Sequence, residues 1–242
     1  MIHLHHADIS QVISAGISLM HNLTHSPQHL LDLAFKDIFL RHGLQLHHVG
    51  LLVPLCSHAD ISSYIEAHGF KVLSVFPSTV VAAQLSKRFD KQVSVDIYRS
   101  SPINGGVPTL EVFRIVDGLD AGDVHAAMPD VLHVAYAPSV SIDVGTLCDK
   151  MTSDGFEYAG GGVNSDDVTP NCDGVTVLYF LNRQLIEEVP KIELVLHGAH
   201  SLSSIPEAAI SFRSAGAGGA LTEGASLSLN RTTAPGSTGE EV

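Results

Sequence analysis

Apolar and polar positions divide the chain into three stretches of different texture. From Asp8 to Arg41 the apolar residues Val12, Ile13, Ile17, Leu30, Leu31 and Phe35 recur near helical spacing, and Ser26-Pro27 supplies a break and a fresh N-cap. This predicts two short helices in an N-terminal extension over residues 1–43. From Ala199 onward Gly, Ala, Ser and Thr dominate, as in Gly216-Ala217-Gly218-Gly219 and Pro235-Gly236-Ser237. Such a stretch offers too little apolar surface to offset the entropy of ordering, which predicts a disordered tail over 199–242.

Between these ends one order of features occurs twice. The first copy, residues 44–120, opens with an apolar strand from Leu46 to Pro54, and the second, residues 121–198, with one from Val131 to Pro138. A helix-like stretch follows each: Ile61, Tyr64 and Ile65, then Val144, Leu147, Cys148 and Met151. Each helix stops at a Gly-Phe pair, Gly69-Phe70 and Gly155-Phe156, where glycine supplies a left-handed cap and phenylalanine packs back on the sheet. Strand-like runs complete the copies: 72–76, 93–98 and 109–115 in one, 175–181 and 192–196 in the other. His133 follows His48 by 85 positions, Gly155 follows Gly69 by 86 and Glu193 follows Glu111 by 82. The reading is α+β: two tandem βαβββ modules behind a helical extension.

Composition narrows the partners. The 242 residues carry a formal charge of −13, which repels phosphate backbones, so no nucleic acid is expected. Three cysteines without CxxC spacing suggest neither a disulfide framework nor a cysteine-rich zinc site and fit a reducing, cytoplasmic setting. The apolar run from Ile9 to Met20 is too short to span a bilayer and lacks a preceding basic segment, so no membrane partner and no signal peptide are expected.

Four residues stand out chemically. On a strand alternate side chains share a face, so His48 lies beside Gly50 and His133 beside Ala135, small neighbours that leave room. Glu111 in Leu-Glu-Val-Phe and Glu193 in Ile-Glu-Leu-Val interrupt apolar strands. A carboxylate buried there costs several kcal/mol unless a cation or hydrogen bonds compensate it. Each could instead face solvent from an edge strand, with each histidine a hydrogen-bonded core residue. Recurrence at matching places favours convergence: if the modules face each other, His48, Glu111, His133 and Glu193 bring two nitrogens and two oxygens to one divalent ion. His3, His5 and His6 read as a solvated tract, His47 as pointing away from His48, and the basic run 86–91 as a solvated loop that could otherwise steer an anion. Tyr98 and Tyr179 line the pocket or fill the core.

With these residues in place, the stretch from Leu44 to Gly198 resembles the vicinal oxygen chelate superfamily, which includes glyoxalase I, methylmalonyl-CoA epimerase, extradiol dioxygenases and the metal-free bleomycin-resistance proteins. The resemblance is carried by the opening His-Val-Gly, the helix ending in Gly-Phe, and the closing Leu-Glu-Val-Phe and Ile-Glu-Leu-Val. It implies a cleft between curved mixed sheets and one metal ion (Ni, Co, Zn, Mn or Fe) held by His48, Glu111, His133 and Glu193. It also implies a small-molecule substrate able to chelate that ion. After Glu111 the chain runs Val-Phe-Arg-Ile rather than the Asn-containing segment of bacterial glyoxalase I, so glutathione is not implied.

Three functions follow as expectations. The first is an isomerase or lyase that moves a proton through a metal-bound enolate or enediolate, with Glu193 or Glu111 as the base. The second is an Fe(II)-dependent dioxygenase built on His48, His133 and Glu193. The third is a metal-free binding or resistance protein. The helical extension either covers the cleft or forms a contact in a homodimer.

Overall fold

The computed structural model describes residues 8–25, 43–106, 108–139, 143–164, 174–181, 191–198 and 200. The second helix expected in the extension, the tail beyond His200, and His3, His5 and His6 lie outside them. Among the described residues, no helix is long and apolar enough to cross a membrane.

The chain runs α1 (Ile9–His25), β1 (Leu44–Leu52), α2 (His58–Ala67), β2 (Phe70–Pro77), α3 (Thr79–Phe89), β3 (Ser94–Pro102) and β4 (Thr109–Asp117). It continues with α4 (Ala121–Val131), β5 (His133–Pro138), α5 (Val144–Ser153), β6 (Glu157–Asn164), β7 (Val175–Leu181) and β8 (Lys191–His197). The strands form one mixed eight-stranded sheet in the order β2-β3-β4-β1-β5-β8-β7-β6. β1 and β5 pair antiparallel at its centre, and each has the last strand of its own half, β4 or β8, parallel on its outer side. The expected α+β architecture is found, with the two halves joined edge to edge in a continuous sheet.

Local sequence accounts for the punctuation. Ser57 and Asp60 form a capping box at the start of α2, while Asp120 and Asp143 cap α4 and α5. Gly69 (φ 79°) and Gly155 (φ 90°) take the left-handed conformation after α2 and α5, and Phe70 and Phe156 are buried. Helix α1 backs the sheet: Gly16 lies against Leu51 and Leu110, on the side opposite His48 and Glu111. It therefore does not cover the cleft.

Two helices were not expected. In α3, Val81 and Leu85 are buried one turn apart behind a Ser78 cap. In α4, Val124, Ala127, Met128 and Val131 form a buried stripe, so Val131 ends a helix instead of opening a strand. The basic run read as a solvated loop closes α3 and ties it to α4. Arg88 pairs with Asp130 and donates to the Ala126 carbonyl (3.0 Å), and Lys91 pairs with Asp123. These cations are occupied structurally.

Candidate metal centre

Strand register assembles the site. Gly50 on β1 is opposite Glu111 on β4 and His133 on β5, while Ala135 on β5 is opposite His48 on β1 and Glu193 on β8. The four candidate ligands thus alternate with the two small residues across the four central strands, all on one face. A Cβ on Gly50 would lie 2.0 Å from His133 Cε1, so only glycine lets that imidazole cross β1.

All four side chains are buried, at 3% exposure for His48, 7% for Glu111, 4% for His133 and 6% for Glu193. His48 Nε2 lies 3.1 Å from His133 Nε2, 3.5 Å from Glu111 Oε2 and 3.9 Å from Glu193 Oε2, and His133 Nε2 lies 3.3 Å from Glu193 Oε2. One ligand atom each from His48, His133 and Glu193 falls within 4.8 Å of the others. Glu111 joins through His48, its other oxygen accepting from Arg99 Nε at 3.2 Å.

The donor chemistry fits a cation. Burial, then the neighbouring His47 and Arg99, hold His48 well below its ordinary pKa. Burial, then His48 and Lys191, take His133 down to about 3. Both imidazoles are therefore neutral at physiological pH. Val131 O can only accept, so His133 Nδ1 donates to it (2.8 Å) and its Nε2 presents a lone pair toward the other ligands. Burial and Glu111 push the Glu193 carboxyl up to about 8, against the pull of Lys191, the Tyr179 hydroxyl and Arg99. Two neutral imidazoles and two desolvated carboxyl groups, three of the four with a ligand atom within 4.8 Å of the others, make a centre that could hold a divalent ion.

Arg99 and Lys191 escaped the sequence reading, whereas Tyr179 is one of the two tyrosines expected to line the pocket or fill the core. Arg99 is the cross-strand partner of Glu111, and Tyr179 the partner of Glu193, to which its hydroxyl donates. Lys191, two residues before Glu193 and so on its face, has its ammonium 5.4 Å from the centroid of the Tyr179 ring. Burial brings that amine down to about 8. Alternation could have found Lys191, but Arg99 requires the register. Tyr98 faces away from the site and bonds His58 Nδ1 at 2.5 Å. His47 is a correction: the register shifts between Leu46 and His48, and His47 Nδ1 comes 2.9 Å from His48 Nδ1 instead of pointing away.

No protein-family model and no curated protein matches the chain. Among solved structures it is similar to a methylmalonyl-CoA epimerase (14% identity, TM-score 0.39, 62% of this chain and 93% of that one). It is similar also to the methylmalonyl-CoA epimerase of Mycobacterium tuberculosis (15%, 0.36, 66% and 91%) and to a glyoxalase family protein of Bacillus cereus (16%, 0.26, 64% and 95%). Likenesses this distant carry no argument about family or activity.

Proposed function

We propose that this chain is a metal-dependent enzyme of the isomerase or lyase type, moving a proton at a carbon beside a chelating oxygen of a small molecule. The observation that supports this most is the unequal treatment of two buried carboxyl groups facing one pair of neutral imidazoles. Glu111 is held by the Arg99 guanidinium, whereas Glu193 is lifted to about 8. Different partners on two acids are how a site can divide an anchoring role from a proton-moving role.

His48, His133, Glu111 and Glu193 would hold the ion. A divalent ion bound there would stabilise negative charge developing on substrate oxygens and so acidify the adjacent C–H bond. Glu193 takes that proton and returns it, with the Tyr179 hydroxyl and the Lys191 ammonium steadying its anionic form. Glu111, tied to Arg99, stays in place.

The test is deuterium wash-in. Protein reconstituted in turn with Ni, Co, Zn and Mn is incubated in D₂O with 2-oxo acids, thioesters of branched acids and hemithioacetals, and exchange is followed by proton NMR. Metal-dependent exchange that disappears in Glu193→Gln is expected. Absence of exchange on every compound, with metal shown to be bound, would sink the reading.

A second reading has its own observation: the three mutually close ligands are two histidines and one carboxylate, the set used for Fe(II) oxygen chemistry. Oxygen uptake with catechols by the Fe(II)-loaded protein, surviving Glu111→Ala, would favour it.

A further inference from the structure

The two imidazoles at the centre differ in what holds their outer nitrogens. His133 Nδ1 faces Val131 O, a group that can only accept, so its hydrogen is fixed there. His48 Nδ1 instead faces another imidazole nitrogen, His47 Nδ1, at 2.9 Å. That contact works in either direction. The bulge that brings His47 to this place is itself pinned, because Thr109 Oγ1 donates to the His47 carbonyl at 3.3 Å.

With His133 Nε2 carrying a lone pair, the 3.1 Å contact to His48 Nε2 requires a hydrogen on His48 Nε2 when no cation lies between them. His48 Nδ1 then accepts, and His47 Nδ1 is the donor. A cation between the rings needs the opposite arrangement, a lone pair on His48 Nε2 and hence a hydrogen on His48 Nδ1.

We infer that His47 is a tautomer partner for His48, whose hydrogen bond reverses when the centre is loaded. The hydrogen on His48 Nε2 leaves for solvent, His47 Nδ1 passes its own to His48 Nδ1, and His47 takes one from solvent at Nε2. Both rings stay neutral and two hydrogens are present before and after. The second half of the sheet has no such device, since position 132 is leucine and the Val131 carbonyl cannot change role. Partners behind metal-bound histidines commonly fix the ring's tautomer and strengthen the ligand. Here the partner also lets the empty centre satisfy its own donors.

The inference rests on the metal reading, and the experiment separates the two. Full-length protein with ¹⁵N-labelled histidine is stripped with chelator and then titrated with zinc alone, while long-range proton–nitrogen NMR reports which ring nitrogen carries hydrogen. His48 is expected to change from Nε2–H to Nδ1–H, His47 from Nδ1–H to Nε2–H, and His133 to keep Nδ1–H throughout. Calorimetry on the same samples measures zinc binding. His47→Phe is expected to weaken it by roughly 10–100-fold, and His47→Gln, whose amide both donates and accepts, to restore most of the loss. Zinc bound with His47 and His48 unchanged, or His48 already Nδ1–H in the stripped protein, overturns the inference and leaves the metal reading standing. Failure to bind zinc overturns both.

Discussion

The two halves of the sheet supply the same pair of groups, one histidine and one glutamate, from corresponding strands, yet surround them differently. In the first half Glu111 is bound by a cation, Arg99, and His48 by a reversible neighbour, His47. In the second half Glu193 receives a neutral hydroxyl from Tyr179, and His133 is locked to a backbone carbonyl. The pattern is crossed: each half holds one rigid group and one adaptable one. The first half fixes its acid and frees its imidazole, whereas the second does the reverse. A symmetric framework thus offers two fixed points and two that can change state, which is what a centre must have if it is to keep an ion while moving a proton.

The largest effect should come from making the acids alike. Glu193→Gln removes the adaptable acid and should lower turnover by about 10²–10⁴-fold, while Glu111→Gln should act mainly on metal affinity. Initial rates beside metal titrations would show the split. Equal losses of turnover in both variants would erase the proposed division of labour. Next comes Gly50→Ala. A methyl 2.0 Å from His133 Cε1 must displace the ring, costing about 1–3 kcal/mol in stability and disrupting metal binding. Ala135→Gly, at the corresponding place in the other half, should be far milder for the centre. Thermal denaturation and metal calorimetry check both.

The smallest effect is a pH dependence of the metal-free protein. Glu193 has a folded value of about 8 against an ordinary 4.5, so its contribution to stability is complete below about 4.5 and is lost as pH rises toward about 8. Lys191 works in a separate window. Its folded value of about 8 lies below the ordinary 10.5, so its contribution is intact above about 10.5 and is lost as pH falls toward about 8. In chelator-treated samples the melting point of Glu193→Gln should therefore gain on wild type as pH is raised from about 4.5 to about 8. Tyr179→Phe, which removes a hydrogen bond favouring the anion, should extend that window upward. Parallel melting curves for wild type and Glu193→Gln would show that Glu193 is not perturbed.

Much of this arrangement is legible in the sequence alone. Period-two alternation put His48 and His133 on faces with small neighbours, and the cost of burying Glu111 and Glu193 in apolar strands demanded a partner for each. Gly-Phe pairs marked two helix ends because glycine alone takes that backbone conformation cheaply. Other features depended on register. Arg99 and Tyr179 meet the glutamates only once β3 and β7 are aligned with β4 and β8. His47 violated simple alternation because a bulge intervened. Helix α4 carries a clear apolar stripe, but Pro129 within it removes a backbone donor and argues locally against a helix. The basic run looked solvated because its anionic partners, Asp123 and Asp130, lie more than thirty positions away.

The strand order also bears on how the molecule is made. Each histidine-bearing strand takes as its parallel neighbour the last strand of its own half, so His48 and Glu111, like His133 and Glu193, are separated by roughly sixty residues of chain. Closing such long loops comes late in folding, and the antiparallel seam between β1 and β5 must also close before the imidazoles meet. Uptake of an ion by the refolding chain would thus mark the end of folding, long after hairpins and helices have formed.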